Sequence, residues 1–125
     1  MYDEPSIESI QAAPPEALTL MLFRGAVRFG RSARAEIDAG NTAAGAQMVG
    51  RVKAIIHELE SSLNHDAGPI SRHLASIYEY LQRRLMVSLE DPEALDEVVT
   101  DLDEFATTWA AVVEQGSGSE ALASA

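Results

Sequence analysis

Four stretches of roughly twenty residues, each with apolar side chains at every third and fourth position and each fenced by glycine or proline, constrain this chain more than any other feature. That spacing follows the 3.6-residue turn of an α-helix, so each stretch carries its apolar groups on one face that has to be buried against another. The first predicted helix covers residues 15–39, with Leu18, Leu22, Gly25, Phe29, Ala33 and Ile37 in register. Met21, Phe23 and Val27 widen its apolar side beyond a single stripe. The second covers residues 43–64, with Met48, Val52, Ile55, Leu59 and Leu63 as its stripe and Val49 and Ile56 flanking it. The third, residues 69–89, uses Ile70, Leu74, Ile77, Leu81 and Leu85. The fourth, residues 92–114, uses Leu95, Val98, Leu102, Phe105, Trp109 and Val112.

The breaks between these segments are as informative as the segments. Pro15 suits the first helical position, and Glu16 follows where the helix dipole favours negative charge. Ala39-Gly40-Asn41-Thr42 reads as a turn, with Gly40 as C-cap and Asn41 or Thr42 as the next N-cap. Residues 64–69 break the second helix from the third, and Asp91-Pro92 is a helix start signal. Connections this short make neighbouring helices antiparallel, so the predicted fold is all-α, an antiparallel up-down four-helix bundle. Three parts are expected. Residues 1–13 form a mobile N-terminal arm with room for one short extra helix, residues 14–114 form the bundle, and the Gly-Ser-rich residues 115–125 form a disordered tail.

Charge narrows the partners. Nine lysines and arginines against twenty acids leave a net charge of −11, which disfavours nucleic acid and anionic membrane surfaces and points to a polypeptide partner. The acidic start Met1-Tyr2-Asp3-Glu4-Pro5 is unlike a secretory signal, and no apolar run approaches the ~20 residues of a membrane span. Cysteine is absent, so neither a disulfide nor a thiolate metal site can form. The expectation is a soluble, cytoplasmic protein without membrane insertion.

Reactive chemistry is hard to find. There is no cysteine nucleophile, no serine in a G-x-S-x-G elbow and no glycine-rich phosphate loop. His57, His65 and His73 are spaced by eight, too widely for a helical metal pair, and the Glu-x-x-His pattern of di-iron bundles is missing. No catalytic residue, metal or cofactor is therefore expected. The acidic run from Glu90 to Glu104 reads as a solvated face. Arg83-Arg84, beside Tyr78 and Tyr80, has two readings that stay open. Either the arginines pair with acids of the fourth helix, or the group is an interface patch. The excess apolar surface of the first two helices is buried by the arm, by a second copy, by an amphipathic client helix or by a broad core.

Several segments together resemble a known family. Ala13-Pro14-Pro15-Glu16-Ala17-Leu18 with Met21-Leu22-Phe23-Arg24-Gly25-Ala26 is similar to the opening of the FliS family, the flagellar secretion chaperones. Lys53-Ala54-Ile55-Ile56-His57-Glu58-Leu59, Ile77-Tyr78-Glu79-Tyr80 with Arg83-Arg84-Leu85, and Asp96-Glu97-Val98 with Trp109 resemble its later motifs in the same order. Departures are Pro14 for a capping Ser or Thr, Arg24 for an Asp or Asn, and Pro5 where a Tyr is usual. The resemblance implies an export chaperone that binds the C-terminal segment of flagellin, keeps it from polymerising early and presents it to the flagellar export gate. On that reading Ile55, Ile56, Leu59, Tyr78, Leu81 and Leu85 are the candidate client-binding residues, and Ile7 and Ile10 belong to a self-capping arm. A monomer or weak dimer is expected. The alternative is a structural or signalling module that dimerises through its spare apolar face.

Overall fold

The computed structural model describes residues 15–63 and 69–114. Four helices account for nearly all of them: α1 (Pro15–Asp38), α2 (Thr42–Ser61), α3 (Pro69–Met86) and α4 (Pro92–Glu114). The expected arm with Ile7 and Ile10, residue His65 and the tail lie outside the described residues.

Three helices begin with proline, whose fixed φ and missing N–H suit the one position where neither is a handicap. The α1–α2 turn closes on Gly40, at φ +83°, a conformation that a Cβ would strain. Its N–H donates to Ile37 O (3.0 Å) and that of Asn41 to Glu36 O (2.8 Å), satisfying two of the last carbonyls of α1. Asn41 occupies the N-cap position of α2, but its side chain makes no capping bond there. The amide instead donates to Glu36 Oε2 at 3.0 Å, so it ties the turn back to α1.

Two helices stop earlier than their apolar periodicity suggests, and serine hydroxyls bond to nearby carbonyls at both ends. At the end of α2 the hydroxyls of Ser61 and Ser62 donate to His57 O and Leu59 O, each at 2.9 Å. At the end of α3 the buried Ser88 hydroxyl donates to Leu85 O at 2.7 Å while Val87 and Ser88 N–H tighten to i−3 carbonyls. These local bonds satisfy carbonyls near the helix ends, where the backbone ladder runs out of donors.

The chain runs up, down, up and down. Gly45 of α2 lies against Ile37 and Gly25 of α1 against Ile55, which makes these two helices antiparallel. Phe23 stacks on Phe105 at 6.0 Å between ring centroids, and Arg34 pairs with Asp96 at 3.0 Å, so α1 is antiparallel to α4 as well. Helix α3 lies against α2 and α4, diagonally across from α1, and packs less closely than α1 does. The bundle expected from the turns is the one observed.

The core lies on the bundle axis. It is built from Leu20, Phe23, Val27 and Ala33 of α1, Val49, Val52, Ile56 and Leu59 of α2, Tyr78, Leu81 and Leu85 of α3, and Leu95, Val98, Leu102 and Ala106 of α4. Each fully buried Leu, Ile or Val removes apolar area worth roughly 1.5–3 kcal/mol. Two expectations about faces need correction. Phe23 and Val27 are central to the core, whereas Leu22 and Phe29 are half-buried flanks. In α2 the same exchange puts Val49 and Ile56 at the centre and Met48 and Ile55 at the edge. The broad face of α1 is used because this helix packs against two neighbours at once. Gly30 permits that: a Cβ there would stand 2.5 Å from Val99 Cγ2 of α4.

Candidate functional site

Two recesses among the described residues differ in their chemistry. The first lies between α1 and α4, about 530 Å³ in volume, lined by Arg31, Arg34, Asp96, Val99, Thr100, Asp103 and Glu104. Four of its five charges are paired, Arg31 with Asp103 at 3.6 Å and Arg34 with Asp96 at 3.0 Å, which leaves Glu104. Exposed pairs of this kind contribute little to stability, and they leave little charge for a ligand.

The second is an apolar cleft of about 320 Å³ to which all four helices contribute. Thr19 and Phe23 come from α1, Leu59 from α2 with Ser62 and Leu63 just beyond its end, Leu74 and Tyr78 from α3, and Phe105, Thr108 and Trp109 from α4. It sits at the end of the bundle where α2 finishes and α3 begins. Aromatic and aliphatic walls with a few hydroxyls at the rim make a receptor for apolar side chains.

The six residues singled out from the sequence are not equally placed. Leu59 and Tyr78 wall the cleft while being almost fully buried. Ile56 and Leu81 have no exposed surface and Leu85 has almost none, so in this structure they pack the core. Ile55 is half-buried on the flank of α2, within reach of Gly25. The cleft residues missed by that choice, Leu63, Leu74, Phe105 and Trp109, are all in the apolar stripes. What hid them is that a stripe does not reveal where along its length the bundle opens.

Burial pushes the Tyr78 hydroxyl up to about 12, with the nearby Glu60 carboxylate adding to the effect. Gln82 bridges α3 to α2 through Nε2, which donates to Lys53 O at 3.0 Å and to Glu60 Oε1 at 3.3 Å. Its Oε1 is buried without a hydrogen-bond partner, a cost carried by the α2–α3 seam. Across the other seam Arg84 Nε donates to Glu97 Oε2 at 2.9 Å and the Tyr80 hydroxyl donates to Glu97 Oε1. Those two bonds, Tyr80's first, hold the Glu97 carboxyl below its ordinary range, and the same bond raises the Tyr80 hydroxyl. Of the two readings of the arginine–tyrosine group, Arg84 and Tyr80 fulfil the pairing one. Arg83 pairs only within its own helix, with Glu79 at 2.8 Å.

Among the described residues no group of three or more histidines and carboxylates stands close enough to hold a metal ion, and no helix is long and apolar enough to cross a membrane. His57 and His73 are exposed on different helices.

These features define a class: a four-helix bundle whose most receptive surface is an apolar cleft at one end. Comparison with known proteins narrows it. The family model described as flagellar protein FliS matches residues 1–116, and the chain belongs to that family. It is 30% identical over 124 residues to the flagellar secretion chaperone FliS of Salmonella typhimurium, covering 95% of this chain and 92% of that one. The protein of the same name from Vibrio cholerae is 28% identical over 112 residues, covering 86% and 82%. That from Bacillus subtilis is 29% identical over 108 residues, covering 85% and 80%.

Proposed function

We propose that this protein is a flagellar secretion chaperone of the cytoplasm. It binds the C-terminal segment of flagellin, holds it from premature polymerisation and hands it to the flagellar export gate, by binding alone and without a cofactor. The observation that carries this reading is the apolar cleft in a chain that belongs to the FliS family and resembles secretion chaperones over most of its length.

A segment that is unfolded before binding loses conformational entropy when it is ordered, so it needs apolar burial to offset that loss. The cleft supplies such a surface, with Leu59, Leu63, Tyr78 and Trp109 as the contacts to the client's leading apolar side chain. Ile55 extends the track along the flank of α2 toward α1. Ile56, Leu81 and Leu85 support it from beneath and meet a client directly only where α3 parts from its neighbours. Ile7 and Ile10 are assigned to an arm that covers the same surface in the absence of client.

Titration calorimetry with the C-terminal segment of the flagellin from the same organism tests the proposal. One-to-one binding at micromolar affinity or tighter, with a negative heat-capacity change, is the expected result. No heat under those conditions, with the bundle folded and the peptide soluble, would overturn it. A tight dimer in sedimentation that hides the cleft would favour the dimerising module instead.

A further inference from the structure

Among the described residues the exposed large hydrophobics are three: Tyr80 at 40%, Met86 at 72% and Val87 at 42%. All three fall within the last two turns of α3 and the residue after them, at the opposite end of that helix from Leu74 in the cleft. From Leu74 to Met86 the helical rise is roughly 18 Å. Their exposure is not a frayed end. Leu85 and Ser88, on either side of the Met86-Val87 pair, are buried, and the turn is closed by Ser88 Oγ to Leu85 O and by Asp91 N to Val87 O at 2.8 Å. The fold therefore holds two apolar side chains out into solvent on a rigid turn. Methionine, tyrosine and arginine are also residue types enriched where proteins meet.

Charge says what can meet them. From Glu79 to Glu97 there are six carboxylates and two arginines, and Arg34 of α1 pairs with one of the six, Asp96. Both arginines are already engaged, Arg83 with Glu79 and Arg84 with Glu97 and Asp91. Exposed Glu90 and Glu93 stand on the turn and the first turn of α4, and neither forms an ion pair among the described residues. A second copy of the chain would bring two such acidic ends together and is disfavoured by like-charge repulsion.

We propose that the end of α3 and the α3–α4 turn form a second docking surface, which takes a cationic amphipathic segment of a partner protein independently of the apolar cleft. Met86 and Val87 supply the apolar contact and the surrounding carboxylates the selection for lysine and arginine. A chaperone built this way binds its client at one end and a second protein at the other.

The test uses the full chain with isotope-labelled methionine methyls, titrated with a short amphipathic helical peptide of leucine and lysine. A peptide with glutamate in place of lysine is the control. The expected result is a shift of the Met86 methyl with Met21 and Met48 unmoved, no change in Trp109 emission, and no response to the glutamate peptide. Met86→Gln with Val87→Thr, both at exposed positions, is expected to weaken binding by roughly tenfold. Glu90→Gln with Glu93→Gln is expected to weaken it and to flatten its salt dependence. A Met86 methyl that stays still, an equal response to both peptides, or a response centred on Trp109 would each overturn the proposal. So would a dimer in sedimentation that Met86→Gln abolishes, which would assign the surface to a second copy.

Discussion

Gly30 and Gly50 are both helical glycines, and the structure assigns the same substitution opposite signs at the two positions. An alanine Cβ at Gly30 would lie 2.5 Å from Val99 Cγ2, about 1 Å inside the ~3.5–4.0 Å at which carbons rest. Val99 is β-branched and stiff about χ1, so it does not swing aside, and Val52 Cγ2 lies within 3.9 Å of the same Cβ position. Overpacking of this kind costs about 1–3 kcal/mol, against a gain of about 1 kcal/mol from alanine's better helix propensity. The net expectation for Gly30→Ala is a loss of roughly 1–2 kcal/mol. At Gly50 nothing lies within 4 Å, so Gly50→Ala keeps only the propensity gain of about 0.5–1 kcal/mol. Urea unfolding followed by far-UV circular dichroism reads both, with the two midpoints moving in opposite directions and the slope unchanged. Adding Val99→Ala to Gly30→Ala should recover part of the loss, giving a coupling of about 1 kcal/mol in the double-mutant cycle. A Gly30→Ala protein at least as stable as the parent, or one with no coupling to Val99, would refute the close approach of α1 and α4 described here.

Ile56→Asp places a carboxylate where no surface is exposed, and a loss of about 4 kcal/mol or more, seen as collapse of helical ellipticity, is expected. Retained helicity with weakened client binding would show instead that Ile56 faces the client. Trp109→Ala should leave the bundle folded but weaken flagellin binding by roughly tenfold or more in calorimetry. Tyr78 favours the neutral phenol in the fold, with its pKa near 12 against 10 when unfolded. Its contribution is intact below pH 10 and falls as pH rises from 10 to 12, by up to about 1.4 kcal/mol per unit, and Tyr78→Phe should remove that alkaline limb from the stability curve. Glu97 has the reverse sign. Its bonds to Tyr80 and Arg84 persist above the ordinary carboxylate range and are lost as pH falls through its depressed value, which carboxyl chemical shifts would follow.

Helix number, order and direction were legible in the sequence because they depend on short-range signals. Proline at the first position, Gly40 at the turn and the three-four spacing act within a few residues of themselves. Which face is innermost was less legible. Each of the first two helices carries adjacent apolar stripes, and the choice between Phe23 and Leu22, or Ile56 and Ile55, is made by neighbours far away in sequence. The cleft was least legible, since Leu63, Leu74 and Trp109 look like any other core positions until the four helices are set side by side. The pairing of Arg84 with Glu97 was one of two open readings, and only the register of α3 against α4 decides it. The ends of α2 and α3 were less legible, because the apolar spacing runs on past Ser61 and Ser88.

The seating of α1 between α2 and α4 has a consequence for how the protein is made. Helix α1 shares its core with α4, and the Gly30–Val99 and Phe23–Phe105 contacts cannot form until α4 has been synthesised. At ~5–20 residues per second, the roughly fifty residues between the end of α2 and the end of α4 take several seconds to appear. For that interval an α1–α2 hairpin carries Phe23 and Val27 with their α4 partners missing. The nascent chain is then itself an apolar polypeptide in need of shelter until α4 arrives to cover it.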